Sequence, residues 1–188
     1  MKQLVALMVG LVLASSAYGQ GAILWDEAVN GPLSEDYHNP TYLSALQLGT
    51  NSLSGSSELQ VPPPYLIVHE NVFTISVPAG LEITALFLQV DRSNVWAWVG
   101  DTGFSSDLGY TRNAFTGDLL GQWAIGSLSA GAYGMYLLNL DDRQPINTVA
   151  NFHLDFVVEA IPEPASLWLF SASLAGMQIR RWLRNQRR

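Results

Sequence analysis

The chain has 188 residues, 48% of them hydrophobic and only 13% charged, with sixteen acidic side chains against nine basic ones and no cysteine. The missing thiols exclude cysteine nucleophiles, thiolate metal sites and disulfides. A net charge of −7 argues against binding nucleic acid by neutralising phosphates.

At the start of the chain, Lys2 is followed by an apolar core from Leu4 to Leu13 and then by small residues. Ala17 and Gly19 take the −3 and −1 positions of a cut before Gln20, so residues 1–19 read as a secretory signal peptide. Residues 20–160 form one body. Between Gln20 and Ile161 the only basic side chains are Arg92, Arg112 and Arg143, against fifteen acidic ones, a formal charge of 3 − 15 = −12. Such a body is repelled by anionic lipid headgroups, and solubility alone accounts for its charge; cations, neutral glycans and basic partners remain open to it. At about 140 residues it is large enough to bury a core without disulfides.

Turn residues at Asn30-Gly31, Gly49-Thr50-Asn51, Gly55, Asn94, Gly100-Asp101 and Asp141-Asp142 separate short strands, and no stretch of the body sustains a helical period. Val61-Pro62-Pro63-Pro64 is a stiff loop or edge. Phe73, Ile75 and Val77 alternate with Val72, Thr74 and Ser76 up to Pro78-Ala79-Gly80, and the run Leu81 to Val90 follows as a hairpin partner or around a corner. Val95-Trp96-Ala97-Trp98-Val99 is apolar on both faces of a strand. Burial of both faces is the expectation; the alternative is that Trp96 and Trp98 form an exposed platform that stacks on sugar rings. Ala130-Gly131 precedes the run Tyr133 to Leu140, and Phe152, Leu154, Phe156 and Val158 alternate with Asn151, His153, Asp155 and Val157 to close the domain. These patterns predict an all-β fold, a single antiparallel jelly-roll-like β-sandwich over 20–160.

Residues that carry chemistry are sparse. His38, His69 and His153 are the three histidines, and His69-Glu70 begins a zinc-protease pattern that fails because Phe73 stands where the second ligand belongs. No Gly-x-Ser-x-Gly elbow is present. Calcium, a hard cation that takes loop oxygens, is the best metal candidate, through Asp101, Asp107, Asp118, Asp141 and Asp142, although no Asp-x-Asp-x-Asp-Gly loop occurs. The expectation is therefore no cofactor, with these carboxylates as solvated turn residues. His153 is expected on the outer face of its strand, opposite to Phe152 and Phe156.

At the end of the chain, Pro162-Glu163-Pro164 forms an extended turn, an uncharged run from Ala165 to Ile179 follows, and Arg180, Arg181, Arg184, Arg187 and Arg188 close the sequence. A spanning helix needs about 20 residues. Counting on past Arg180 and Arg181, which snorkel, to Leu183 makes one crossing plausible, with the arginines held cytoplasmic. This order resembles the PEP-CTERM sorting signal of Gram-negative bacteria that make extracellular polysaccharide, over residues 161–188. The resemblance implies recognition by an exosortase, a membrane-embedded cysteine transpeptidase, with Pro162, Glu163 and Pro164 as substrate residues.

A second resemblance lies in the body, in Trp25-Asp26-Glu27 with Gly31 and Leu33-Ser34, in Gly49 to Gly55, in Phe73 to Leu81 and in Gly131-Ala132-Tyr133. These segments are similar to the jelly-roll sandwich of bacterial pre-peptidase C-terminal domains, which implies a non-catalytic accessory module. Pro32 departs from that pattern, where an acidic residue follows the glycine, and this counts against a carried-over calcium site. The expectation overall is a secreted, non-enzymatic protein of the cell surface or matrix, handled by signal peptidase and exosortase and anchored in the membrane before processing. A carbohydrate-binding module for exopolysaccharide, using Trp96 and Trp98, is the alternative, and a hydrolase with an unrecognised acidic site ranks last.

Overall fold

The structure, a computed structural model, describes residues 22–60, 67–91, 95–114, 116–139 and 148–161. The expected signal peptide with Gly19 and Gln20, the Asp141-Asp142 corner, and the tail with Pro162, Glu163, Pro164, Arg180, Arg181, Arg184, Arg187 and Arg188 lie outside these residues. Among the described residues no helix is long and apolar enough to cross a membrane.

In chain order the elements are β1 (Ile23–Asp26), α1 (Glu27–Asn30), β2 (Thr41–Tyr42), β3 (Gly49–Gln60), β4 (Ile67–Val68), β5 (Glu70–Val77), β6 (Leu81–Val90), β7 (Val95–Gly100), β8 (Asp107–Ala114), β9 (Gly117–Asp118), α2 (Leu119–Gln122), β10 (Gly131–Asn139) and β11 (Thr148–Ala160). They build two sheets. One runs β1-β3-β11-β6-β9 with β4 also paired to β3, and the other runs β2-β5-β10-β7-β8. The two inward faces share one hydrophobic core, so the fold is an all-β sandwich.

The period of two sets this arrangement most clearly in β11. Ala150, Phe152, Leu154, Phe156 and Val158 are buried, while Val149, Asn151 and Glu159 are exposed and His153, Asp155 and Val157 half-buried. β3 and β6 flank β11 antiparallel, with Leu154 opposite Leu53 on one side and Leu88 on the other. In the facing sheet Phe73, Ile75 and Val77 of β5, Val95, Ala97 and Val99 of β7, and Met135 and Leu137 of β10 complete the core.

After β5 the chain turns a corner rather than a hairpin: β5 pairs with β10, whereas β6 pairs with β11 in the other sheet. The turn is closed by Leu81 N donating to Pro78 O at 3.2 Å. Gly80 supplies the left-handed φ of 80° that a side chain would oppose.

The expectation of a purely antiparallel sandwich needs correction. β1 pairs with β3 in parallel, and β2 pairs with β5 in parallel. Alternation is the same in either strand direction, so it carries no information about orientation. Direction follows from the connection, and the chain between β1 and β3, which holds α1 and β2, is long enough for the crossover that a parallel pair demands.

Phe156→Ala is expected to lower stability by about 3–5 kcal/mol, because it empties a fully buried position between β3 and β6. Glu159→Ala, exposed at the end of the same strand, should change it by less than about 0.5 kcal/mol. Urea melts of the two variants check this; similar losses in both would contradict the assigned faces.

Candidate functional site

The tryptophan strand divides its residues between the two faces, but not as an open platform. Val95, Ala97 and Val99 point into the core. Trp98, on the opposite face, is only 3% exposed. Its indole is stacked against Tyr136 and Phe104 with ring centroids 5.3 Å away in each case, and its Nε1 donates to Asp107 Oδ1. Tyr37 adds edge contacts to Phe104 and Tyr136 at 5.4 and 5.8 Å. Trp96 is half-buried and meets Tyr110, 37% exposed, edge-on at 5.7 Å. Trp96 and Trp98 therefore do not form a coplanar exposed pair. Burial pushes the Tyr136 phenol up to about 12, with the Tyr110, Glu70 and Asp107 charges adding to it, so it stays protonated at neutral pH.

The loop that carries Phe104 onto Trp98 is folded by a carboxylate. Asp101 Oδ1 accepts from Ser105 N at 2.7 Å and Ser106 N at 3.0 Å, and Oδ2 accepts from Ser105 Oγ at 2.7 Å. The Ser105 hydroxyl, followed by these amides, holds the Asp101 pKa below its ordinary value. Phe104 takes a left-handed φ of 53° at the tip. A Cβ at Gly134 would lie 2.9 Å from Phe104 Cζ, so glycine there leaves room for the ring.

The other calcium candidates among the described residues, Asp107 and Asp118, are likewise occupied by local donors. Asp118 caps α2, accepting from Leu120 N at 3.1 Å and Gly121 N at 3.2 Å, and also holds Leu86 N at 3.0 Å. Asp107 belongs to Trp98. Among the described residues no group of three or more histidine or acidic side chains is placed to hold a metal ion.

On the outer face of the first sheet, Ser54 of β3 stands directly across from His153 of β11. Ser54 Oγ lies 2.8 Å from His153 Nδ1, and His153 Nε2 lies 3.1 Å from Asp155 Oδ1, which also accepts from Ser52 Oγ at 2.6 Å. The chain has the order of nucleophile, base and orienting acid. Acyl transfer also needs a donor for the oxyanion. The amide of Ser56, which lines a cleft together with Ser54, is already given to Glu27 Oε2 at 2.7 Å.

A different site forms where the chain passes from β4 to β5. A cavity of 130 Å³ is lined there by Glu27, Glu35, Glu58, His69, Glu70 and Asn71, among others. Glu27 accepts from Leu33 N at 3.3 Å and from Ser56 Oγ at 3.1 Å, and His69 Nδ1 pairs with Glu35 Oε1 at 2.6 Å. His69 Nε2 and Glu70 Oε2 are closed to solvent and have no hydrogen-bond partner. Burial, then the charge of Glu35, raises the Glu70 pKa above its ordinary 4.5. Sequence reasoning noticed His69-Glu70 only as a failed zinc pattern. Glu27, Glu35 and Glu58 were not linked to it, since they meet only when β3, α1 and β5 converge.

No family model and no curated protein matches this chain. Among solved structures it is similar to the pre-peptidase C-terminal domain of a collagenase from Bacillus anthracis, with 10% identity, a TM-score of 0.37, and coverage of 63% of this chain and 93% of that one. It is also similar to PliG, a periplasmic inhibitor of g-type lysozyme, from Salmonella Typhimurium, with 11% identity, a TM-score of 0.37, and coverage of 63% and 99%. PliG from Aeromonas hydrophila gives 13% identity, a TM-score of 0.36, and coverage of 63% and 98%.

Since the folded Glu70 pKa lies above 4.5, the folded chain keeps a proton that the unfolded chain releases, and stability falls as pH rises through that window. Glu70→Gln removes the penalty. The variant should melt above the parent at neutral pH, and the gap should close below pH 4.5; identical melting at neutral pH would count against it.

Proposed function

We propose that the chain is an exported, non-enzymatic protein of the cell surface or extracellular matrix, sorted by an exosortase through residues 161–188. The order of Pro162-Glu163-Pro164, an uncharged apolar run and a terminal arginine cluster carries this reading. In it, signal peptidase cuts before Gln20, the apolar run holds the protein in the membrane, and exosortase acts near the Pro-Glu-Pro element. The fold is compatible with such scission. β11 ends at Ala160, and Ile161 N closes the sandwich by donating to Gly80 O at 2.9 Å, so a cut at the motif removes no residue of either sheet. The non-enzymatic part of the reading is supported by the sequence, which has no Gly-x-Ser-x-Gly elbow and only a broken zinc-protease pattern at His69-Glu70.

Recognition of exopolysaccharide is the second reading. It now draws on the half-buried Trp96 beside the exposed Tyr110, since Trp98 is covered.

Mass spectrometry of the protein recovered from the medium or cell surface tests the sorting route. The mature chain is expected to begin at Gln20 and end near Pro162, and a Pro162→Ala, Pro164→Ala variant should accumulate unprocessed. An intact C-terminal peptide ending at Arg188 in the recovered wild-type protein would overturn it.

A further inference from the structure

On the outer face of the first sheet a polar row crosses two paired strands. Ser52 and Ser54 of β3 stand opposite Asp155 and His153 of β11, and cross-strand partners share a face. Ser54 Oγ lies 2.8 Å from His153 Nδ1, while Asp155 Oδ1 lies 3.1 Å from His153 Nε2 and accepts from Ser52 Oγ at 2.6 Å. A carboxylate oxygen only accepts, so Nε2 carries the ring hydrogen, and the lone pair of the neutral imidazole is left at Nδ1, facing the Ser54 hydroxyl. Ser54 is half-buried and lines a cleft of 320 Å³ with Asp26, Glu27, Ser56 and Asn151. That volume lies at the lower end of the roughly 300–1,000 Å³ usual for small-molecule sites, and it gives a small reactant access to the hydroxyl that the imidazole holds.

We infer that Ser54 is an acyl-acceptor site, which takes one acyl group from a small activated ester or thioester and keeps it. Ser54 Oγ attacks the carbonyl carbon while His153 Nδ1 removes the hydroxyl proton. The bond from Oγ to that carbon forms, the bond from the carbon to the leaving oxygen or sulfur breaks, and the imidazole passes the proton to the departing group. Asp155 is a positioning residue: it fixes the ring hydrogen at Nε2 and stabilises the imidazolium formed in passing. The donor must be activated, because the Ser56 amide is committed to Glu27 Oε2 at 2.7 Å and is not free to stabilise an oxyanion. For the same reason water attacks the resulting unactivated serine ester slowly, so the site is loaded once and the body performs no turnover. Asp26 and Glu27 border the cleft and favour a neutral or cationic donor over an anionic one. This inference goes beyond the sorting route and does not depend on it.

Incubation of the full-length chain with p-nitrophenyl acetate tests it, followed by nitrophenolate absorbance and by peptide mass spectrometry. A burst of one nitrophenolate per chain is expected, with one acetyl group on Ser54. Lys2 is the chain's one lysine, so side-chain amines compete little. Ser54→Ala should abolish the burst, and His153→Ala should slow it about a hundredfold, with added imidazole restoring part of the rate. Asp155→Asn should slow it as well, and Asp155→Glu, which keeps the acceptor, should retain more of the rate. His38→Ala, at an exposed histidine outside the site, should match the parent. Melting curves like the parent's establish that each variant is folded, and His153→Gln, which keeps a polar side chain without a base, takes the place of His153→Ala if that variant melts early. Acetyl groups on Lys2, His38 or Tyr42 with none on Ser54, an unchanged burst in both His153 variants, or no burst at all would overturn the inference. Sustained release beyond one equivalent that depends on Ser54 would make the site a turnover esterase and overturn the acceptor role.

Discussion

The inward row of β11, Ala150 to Val158, is the contact on which both sheets depend, because that strand is hydrogen-bonded on both sides and its alternate residues reach the opposing sheet. Phe152, Leu154 and Phe156 lie in one apolar cluster with Phe73, Ile75, Met135 and Leu137. Apolar area removed from water, at roughly 25 cal/mol per Å², makes such a row the dominant favourable contribution. The corner at Gly80, the parallel edge strands and the cavity all take their positions from the sheets that this row joins.

An acidic body with three arginines cannot satisfy its carboxylates mainly through ion pairs. Backbone amides take that role at several turns. Asp26 caps α1, Asp118 caps α2, Asp101 closes the loop over Trp98, and Asp91 holds Asn151 through its amide at 2.9 Å. Carboxylates bonded in this way are structural and offer little to a metal. Glu70 differs because it sits where the chain passes from β4 to β5 with no hydrogen-bond partner at Oε2.

Much of the fold was legible because alternation is a local signal. The burial of β11 follows the Phe152 to Val158 pattern, and His153 lies on the outer face as its parity requires. For the run at 72–90, both a hairpin and a corner were compatible with the pattern, and pairing with β10 and β11 made it a corner. Helical periodicity was absent for a simple reason: α1 and α2 have four residues each, too short to show one. Trp96 and Trp98 were placed on one face, yet the covering of Trp98 depends on Phe104 and Tyr136, and Trp96 meets Tyr110, all from other parts of the chain.

By itself the sequence determined the strand faces, the acidic balance of the body and the order of features in the tail, since each arises from neighbouring residues or from composition. Tertiary structure alone decided the parallel edges, the covering of Trp98 and the meeting of Glu27, Glu35, Glu58, His69 and Glu70. The physical reason is that these depend on strand direction and on loops returning from distant segments, and a period of two contains neither.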